Sequence, residues 1–174
     1  MKRIAILFSI VAIWATGCGK DNVVNPEKAL YKRLAADGGV WDLEKIEEYT
    51  FDNQGNETLA NTTVPSPAKQ YVFYEHSEIF DYAEQMDLAY LAVAILTKDQ
   101  GGIRYALWAE NNRVIFEDYG ILLGPQITYT VRENKPNKQV WEIYTTGTFK
   151  RTVYYLKKCS GCEPFFPNYQ VGGI

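Results

Sequence analysis

The sequence predicts a mainly β protein: an up-and-down antiparallel barrel of eight or nine strands preceded by one short helix, with a β-sandwich as the structural alternative. Three observations point there. Thirteen Tyr, eight Phe and four Trp stand in 174 residues, and aromatic side chains favour the pleated, half-buried surface of a sheet. Beyond residue 39 the chain breaks into short alternating or β-branched runs separated by turn signals. A meander of that kind leaves exposed edges unless the sheet closes on itself.

The helix comes first. Asn25 followed by Pro26 is a cap and a first helical position, and the spacing predicts a helix over 27–37 with Ala29, Leu30 and Leu34 on its apolar side. Gly38-Gly39 ends it, because glycine accepts the left-handed cap conformation. Residues 40–51 read as one long strand, and Asn53-Gln54-Gly55-Asn56 as a turn. Residues 57–69, with two prolines and several small polar residues, read as a loop. Strands are expected at 70–74 and 76–82. The Leu- and Ala-rich stretch 87–97 suits helix by composition, but the Asp99-Gln100-Gly101-Gly102 turn behind it favours a hairpin arm. Residues 103–109 and 113–117 flank Asn111-Asn112, a tight-hairpin signal. Residues 127–132 alternate, Ile127, Tyr129 and Val131 against Thr128, Thr130 and Arg132. A turn at 134–137 leads to 140–144, and Thr146-Gly147 to 148–157. Residues 159–174 form an aromatic, proline-containing tail expected over the outside of the sheet.

The first 17 residues stand apart. Lys2 and Arg3 precede an uncharged apolar run, Ile4 to Trp14, then Ala15-Thr16-Gly17 and Cys18. The run is shorter than the roughly 20 residues a membrane-spanning helix needs. This pattern resembles a signal peptide ending in the lipobox of bacterial lipoproteins. The resemblance implies cleavage before Cys18, diacylglycerol on its thiol, and membrane attachment through that lipid. Two or more acyl chains anchor a protein stably where one does not. Residues 18–26 would then be the lipidated cysteine and a tether, 27–158 the β domain and 159–174 the tail. The expected location is the cell envelope, at the outer membrane.

Charge and chemistry narrow the function. Setting aside Lys2 and Arg3 takes the formal charge from −3 to −5, and no basic patch suggests nucleic acid. With Cys18 assigned to lipid, Cys159 and Cys162 remain as an even pair that can close a Cys-Ser-Gly-Cys disulfide or stay as two thiols. A redox-catalytic pair needs a strand-to-helix context that Tyr154-Tyr155-Leu156 and Pro164 do not supply. A zinc site needs about four ligands, and the single histidine is His76. Glu47 and Glu48 point to opposite faces of their strand, so they form no carboxylate pair. The sequence has no nucleophile elbow and no phosphate loop. The expectation is a non-enzymatic protein without a cofactor.

A helix, then Gly39-Val40-Trp41 opening the first strand, then a meander ending in a strand with a basic residue resembles the lipocalin or calycin barrels. More narrowly it is similar to small lipocalin-like lipoproteins of Bacteroidota, whose mid-chain Gly-x-Tyr strand has its nearest counterpart in Gly102-Ile103-Arg104-Tyr105. Lys20-Asp21 is similar to the charged export signal of surface lipoproteins there. The resemblance covers about residues 27–158. It implies that Trp41 packs under an arginine of the last strand. Arg151, sharing parity with Val153 and Tyr155, is the residue expected there, the alternative being that it points to solvent. Phe73, Tyr129, Trp141, Ile143 and Tyr155 are the candidates to line a pocket for a small apolar molecule. If bulky rings fill the interior instead, the implied role is structural, with the outer face or a patch around Phe165, Phe166 and Tyr169 meeting an envelope protein or glycan.

Overall fold

The structure, a computed structural model, describes residues 26–74, 90–98, 100–110, 112–118 and 126–165. Cys18, the expected signal segment and the expected strand 76–82 with His76 lie outside the described residues, as do Phe166 and Tyr169.

One helix, α1 (Pro26–Ala35), leads into a short 3-10 turn at Asp37–Gly39. Its buried face is Leu30, Tyr31 and Leu34. The turn reverses the chain through three positive φ values, 46° at Asp37, 79° at Gly38 and 69° at Gly39. Gly39 has a second constraint: a Cβ there would stand 1.9 Å from the Phe73 carbonyl oxygen. Only glycine permits that approach.

Nine strands follow: β1 (Val40–Phe51), β2 (Glu57–Thr63), β3 (Lys69–Tyr74), β4 (Tyr90–Thr97), β5 (Gln100–Glu110), β6 (Arg113–Asp118), β7 (Ile127–Lys135), β8 (Lys138–Thr145) and β9 (Lys150–Lys158). They form a single antiparallel sheet in the order β2-β1-β3-β4-β5-β6-β7-β8-β9, and β9 also pairs with β1. The protein is thus mainly β, with one short helix and a sheet curled into a half-barrel; among the described residues all strands share one sheet, not the two of a sandwich. The ambiguous Leu- and Ala-rich stretch 87–97 is strand β4 from Tyr90 on, its first three residues lying outside the described ones. The two seams of β1 differ greatly. It pairs with β9 from Trp41 to Thr50 but with β3 only from Val40 to Asp42.

The expected loop at 57–69 is corrected in its first half, which is strand β2. All seven of its residues are exposed, so it has no buried face to write a hydrophobic alternation into the sequence. The turn before it sets its position. Asp52 accepts hydrogen bonds from the backbone N–H of Gln54 and of Asn56, both 2.8 Å, and from the Asn56 amide at 2.8 Å. That turn folds Glu57–Thr63 back on Ile46–Phe51.

Side chains from α1 and from every strand but β2 meet in one core, with Trp41, Leu43, Phe73, Val93, Leu107, Phe116, Trp141 and Leu156 among its buried members. Two register shifts decide which residues face it. Between Leu43 and Lys45 the β1–β9 register slips, so Leu43 and Ile46 both reach the core although they differ in parity. Lys45, Glu47 and Tyr49 therefore lie on the opposite face. A second shift separates Val131 from Glu133 in β7. On β9 it is Tyr154 and Leu156 that join the core. Arg151, Val153 and Tyr155 thus lie on the face opposite Trp41, which corrects the expected inward parity of that strand.

Candidate functional site

Three places carry the side chains singled out by the sequence: the core of the half-barrel, its helix-covered end, and the outer face of β1, β9 and β8.

The core was the expected ligand cavity. Phe73 and Trp141 are each 1% exposed, and Tyr129 is also buried. Trp141 has four rings around it, with centroids 6.2 Å away for Tyr71, 6.0 Å for Phe73, 5.8 Å for Phe116 and 6.0 Å for Tyr129. Tyr129 continues the array to Tyr154 at 5.2 Å, edge-on. Edge-to-face contacts at these separations are the favoured geometry for aromatic rings, worth about 0.5–1.5 kcal/mol beyond area burial. Ile143 packs half-buried against the same cluster. Four of the five pocket-lining candidates are therefore brought together, and they pack on one another. The fifth, Tyr155, is on the outer face.

At the helix-covered end Trp41 is fully buried, and its indole N–H donates to the Leu34 carbonyl at 2.9 Å. The cation over its ring is Lys158, with Nζ 4.8 Å from the ring, and not Arg151. The register explains the correction: Trp41 stands opposite Lys158, and Arg151 stands opposite Tyr49, near the other end of β1. Lys158 also donates to the carbonyls of Leu34, 3.4 Å, and Ala36, which close the C-terminus of α1. Burial lowers its pKa, with Asp37 pulling the other way. Arg33 donates to the Asn134 carbonyl and pins α1 to the β7–β8 turn.

The outer face holds the densest charge. Glu47 accepts from Lys45 at 2.6 Å, Tyr155 at 2.6 Å and Tyr49 at 2.7 Å. The hydrogen bond from Lys45, followed by those from the two phenols, holds its carboxyl at about 2, well below the usual carboxylate range. A carboxylate so stabilised carries no proton near neutral pH and binds one too weakly to act as a general acid or base there. Burial and the Glu47 carboxylate push the Tyr155 phenol up. Beside this group, Arg151 forms a fork to Glu57, 2.5 and 2.7 Å, and reaches Glu142 at 3.1 Å. Its guanidinium stacks 4.3 Å over the Tyr49 ring. Burial opposes its charge, but Glu57 and Glu142 more than compensate and raise its pKa. Arg132 closes the array on Glu142 at 2.6 Å. Three cations thus neutralise three carboxylates. The array is charge-balanced. At its edge lie exposed apolar side chains, Tyr144 at 51% and Phe149 at 73%, with Tyr144 stacked on Phe51 at 6.4 Å.

Sequence reasoning missed the Lys158 cap and the Glu47–Arg151 array. The spacing from Leu43 to Ile46 was the available signal, since two apolar residues three apart in a strand mark a bulge that flips the face beyond it.

Cys159 and Cys162 form a disulfide, and Cys159 packs beside an outer apolar cluster of Val40, Val72, Ala94 and Leu96. Phe165 is half-buried, and its N–H donates to Gln70 at 3.0 Å, so the tail lies on the outside of the sheet as far as that residue. Among the described residues no helix is long and apolar enough to cross a membrane. No protein-family model, curated protein or solved structure matches the chain.

Proposed function

We propose that the protein is a lipid-anchored component of the bacterial cell envelope, held at the outer membrane through Cys18, whose lipocalin-like domain is filled by its own rings and acts through its outer surface on an envelope protein or glycan. The observation that carries the reading of the domain is Trp141 enclosed by Tyr71, Phe73, Phe116 and Tyr129 at 5.8–6.2 Å. Rings that satisfy one another along the middle of a small barrel occupy the space that a bound apolar molecule would need. The lipocalin-like assignment is supported by Gly39-Val40-Trp41, where the glycine is pressed against Phe73 and the tryptophan lies under a cation of the last strand. The anchor is supported by the apolar run ending in Ala15-Thr16-Gly17-Cys18.

Two measurements test the reading. Metabolic labelling with an alkyne fatty acid should tag the wild-type chain, and Cys18→Ser should be untagged, unprocessed and lost from the lipid-modified membrane fraction. Native mass spectrometry of the purified wild type should show no co-purified apolar molecule. A stoichiometric bound lipid or other small apolar ligand would overturn the filled-interior role and restore a binding one.

A further inference from the structure

We propose that the Cys159–Cys162 disulfide is a redox-sensitive clasp on the seam between β1 and β3. This goes beyond the proposed function and does not depend on the membrane anchor.

The seam is the short one. β3 meets β1 only over Val40–Val72, Trp41–Tyr71 and Asp42–Gln70, while the other edge of β1 pairs with β9 along almost its whole length. The tail crosses this seam on the outside and is fixed to both of its strands. At the near end the Cys159 N–H donates to the Val40 carbonyl at 3.0 Å, and the cysteine packs beside the cluster that contains Val40 and Val72. At the far end the Phe165 N–H donates to the Gln70 side chain at 3.0 Å. Gln70 itself is buried, and its amide donates to Asp42 across the seam at 2.9 Å. Between the two anchors the chain must turn. Gly161 takes a φ of 73° in that turn, and the disulfide closes the four-residue ring around it. The ring thereby limits the conformations open to the strap and aims residues 163–165 at Gln70. Cys162 is exposed, so a reductant can reach the pair.

The redox step is ordinary exchange. A small dithiol attacks one sulfur as its thiolate, passes through a mixed disulfide and leaves as a cyclic disulfide. The S–S bond of the protein breaks, and two electrons and two protons yield two cysteine thiols. With the ring open the turn gains conformational freedom. The Phe165–Gln70 bond is then held by an untethered segment, and local opening of the seam becomes more frequent.

Hydrogen exchange with mass detection on the full chain, with and without dithiothreitol, tests this. On reduction, amides of residues 40–42 and 70–72 should exchange roughly tenfold faster, while those of residues 140–144 in β8 stay as they were. Cys162→Ser should match the reduced wild type without any reductant. Gln70→Ala removes the far anchor with the disulfide intact, so its seam should exchange fast in either redox state. Equal exchange in the oxidised and reduced wild type, acceleration spread over the whole sheet, or a redox response that survives in Gln70→Ala would each overturn the clasp.

Discussion

Lys158 lies 4.8 Å over the ring of Trp41 and at the same time donates to the carbonyl ends of α1 at Leu34 and Ala36. One side chain from the last strand therefore joins the first strand to the helix. A cation at a helix C-terminus is favoured by the helix dipole, and a partly desolvated cation over an indole adds about 0.5–2 kcal/mol. Lys158→Met keeps the apolar stem and removes the charge; the Leu34 carbonyl keeps the Trp41 indole N–H and the Ala36 carbonyl the Gly39 N–H, so what is lost is the charged donor and the cation over the ring. The substitution should lower stability by about 2 kcal/mol, measured by urea unfolding, and Lys158→Arg should recover at least part of that. A wild-type midpoint in Lys158→Met would show the cap to be idle.

Gly39→Ala meets two obstacles, a positive φ of 69° and a Cβ 1.9 Å from the Phe73 carbonyl oxygen. The obstructing atom is backbone in a paired strand, so it cannot swing aside. Overpacking of this kind costs about 3 kcal/mol, while Gly38→Ala has open space around it and meets only the conformational penalty of its φ. Thermal unfolding of the two variants should therefore separate them, with Gly39→Ala much the worse.

Much of this fold was legible because its signals are local. The long first strand, the Gly38-Gly39 helix stop, the pairing of β5 with β6 and the Cys159–Cys162 pair each depend on residues close together in sequence. Two features were not. β2 exists because Asp52 folds a turn that lays it on β1, and a strand exposed on both faces writes no period into its residues. The inward face of β9 depends on its register against β1, more than a hundred residues earlier: Trp41 stands opposite Lys158 and Leu43 opposite Leu156, so counting parity from Val153 and Tyr155 selected Arg151 where the register places Lys158.

The Glu47 carboxyl titrates at about 2 in the folded state, held down first by Lys45 and then by the two tyrosines, against an ordinary value of 4.5. A depressed pKa stabilises the fold above the unfolded value and loses that contribution as pH falls toward the folded one. The loss should therefore appear between about pH 4.5 and 2. Its size is on the order of 2 kcal/mol. Glu47→Gln should be less stable than wild type at pH 7, and the difference should shrink steadily through that acid window. Parallel stability curves for the two proteins would contradict the assignment.

Removing the central ring offers a direct reading of how full the interior is. Trp141→Ala should cost about 3–5 kcal/mol and leave an apolar void lined by Tyr71, Phe73, Phe116 and Tyr129. Voids of that kind stay dry and admit small apolar molecules. Benzene or indole should then raise the melting temperature of Trp141→Ala and leave that of the wild type unchanged. Stabilisation of the wild type by either compound would mean that space already exists beside the rings.

Arg151 ties the exposed β2 arm to the body of the sheet, since its fork to Glu57 spans 94 positions of sequence. The guanidinium is only 18% exposed and Glu57 33%, so the pair is better shielded than a typical surface ion pair, and its geometry is bidentate. Lysine keeps the charge but cannot present two parallel donors while stacking on Tyr49. A double-mutant cycle on Arg151→Lys and Glu57→Gln should give a coupling of about 1 kcal/mol, at the upper end of the range for exposed pairs. Arg151→Lys should also speed hydrogen exchange in residues 57–63 while leaving β8 and the core strands slow. The locality follows from the fold: β2 pairs with nothing but β1 among the described residues, so weakening its tie to β9 loosens the arm without opening the core.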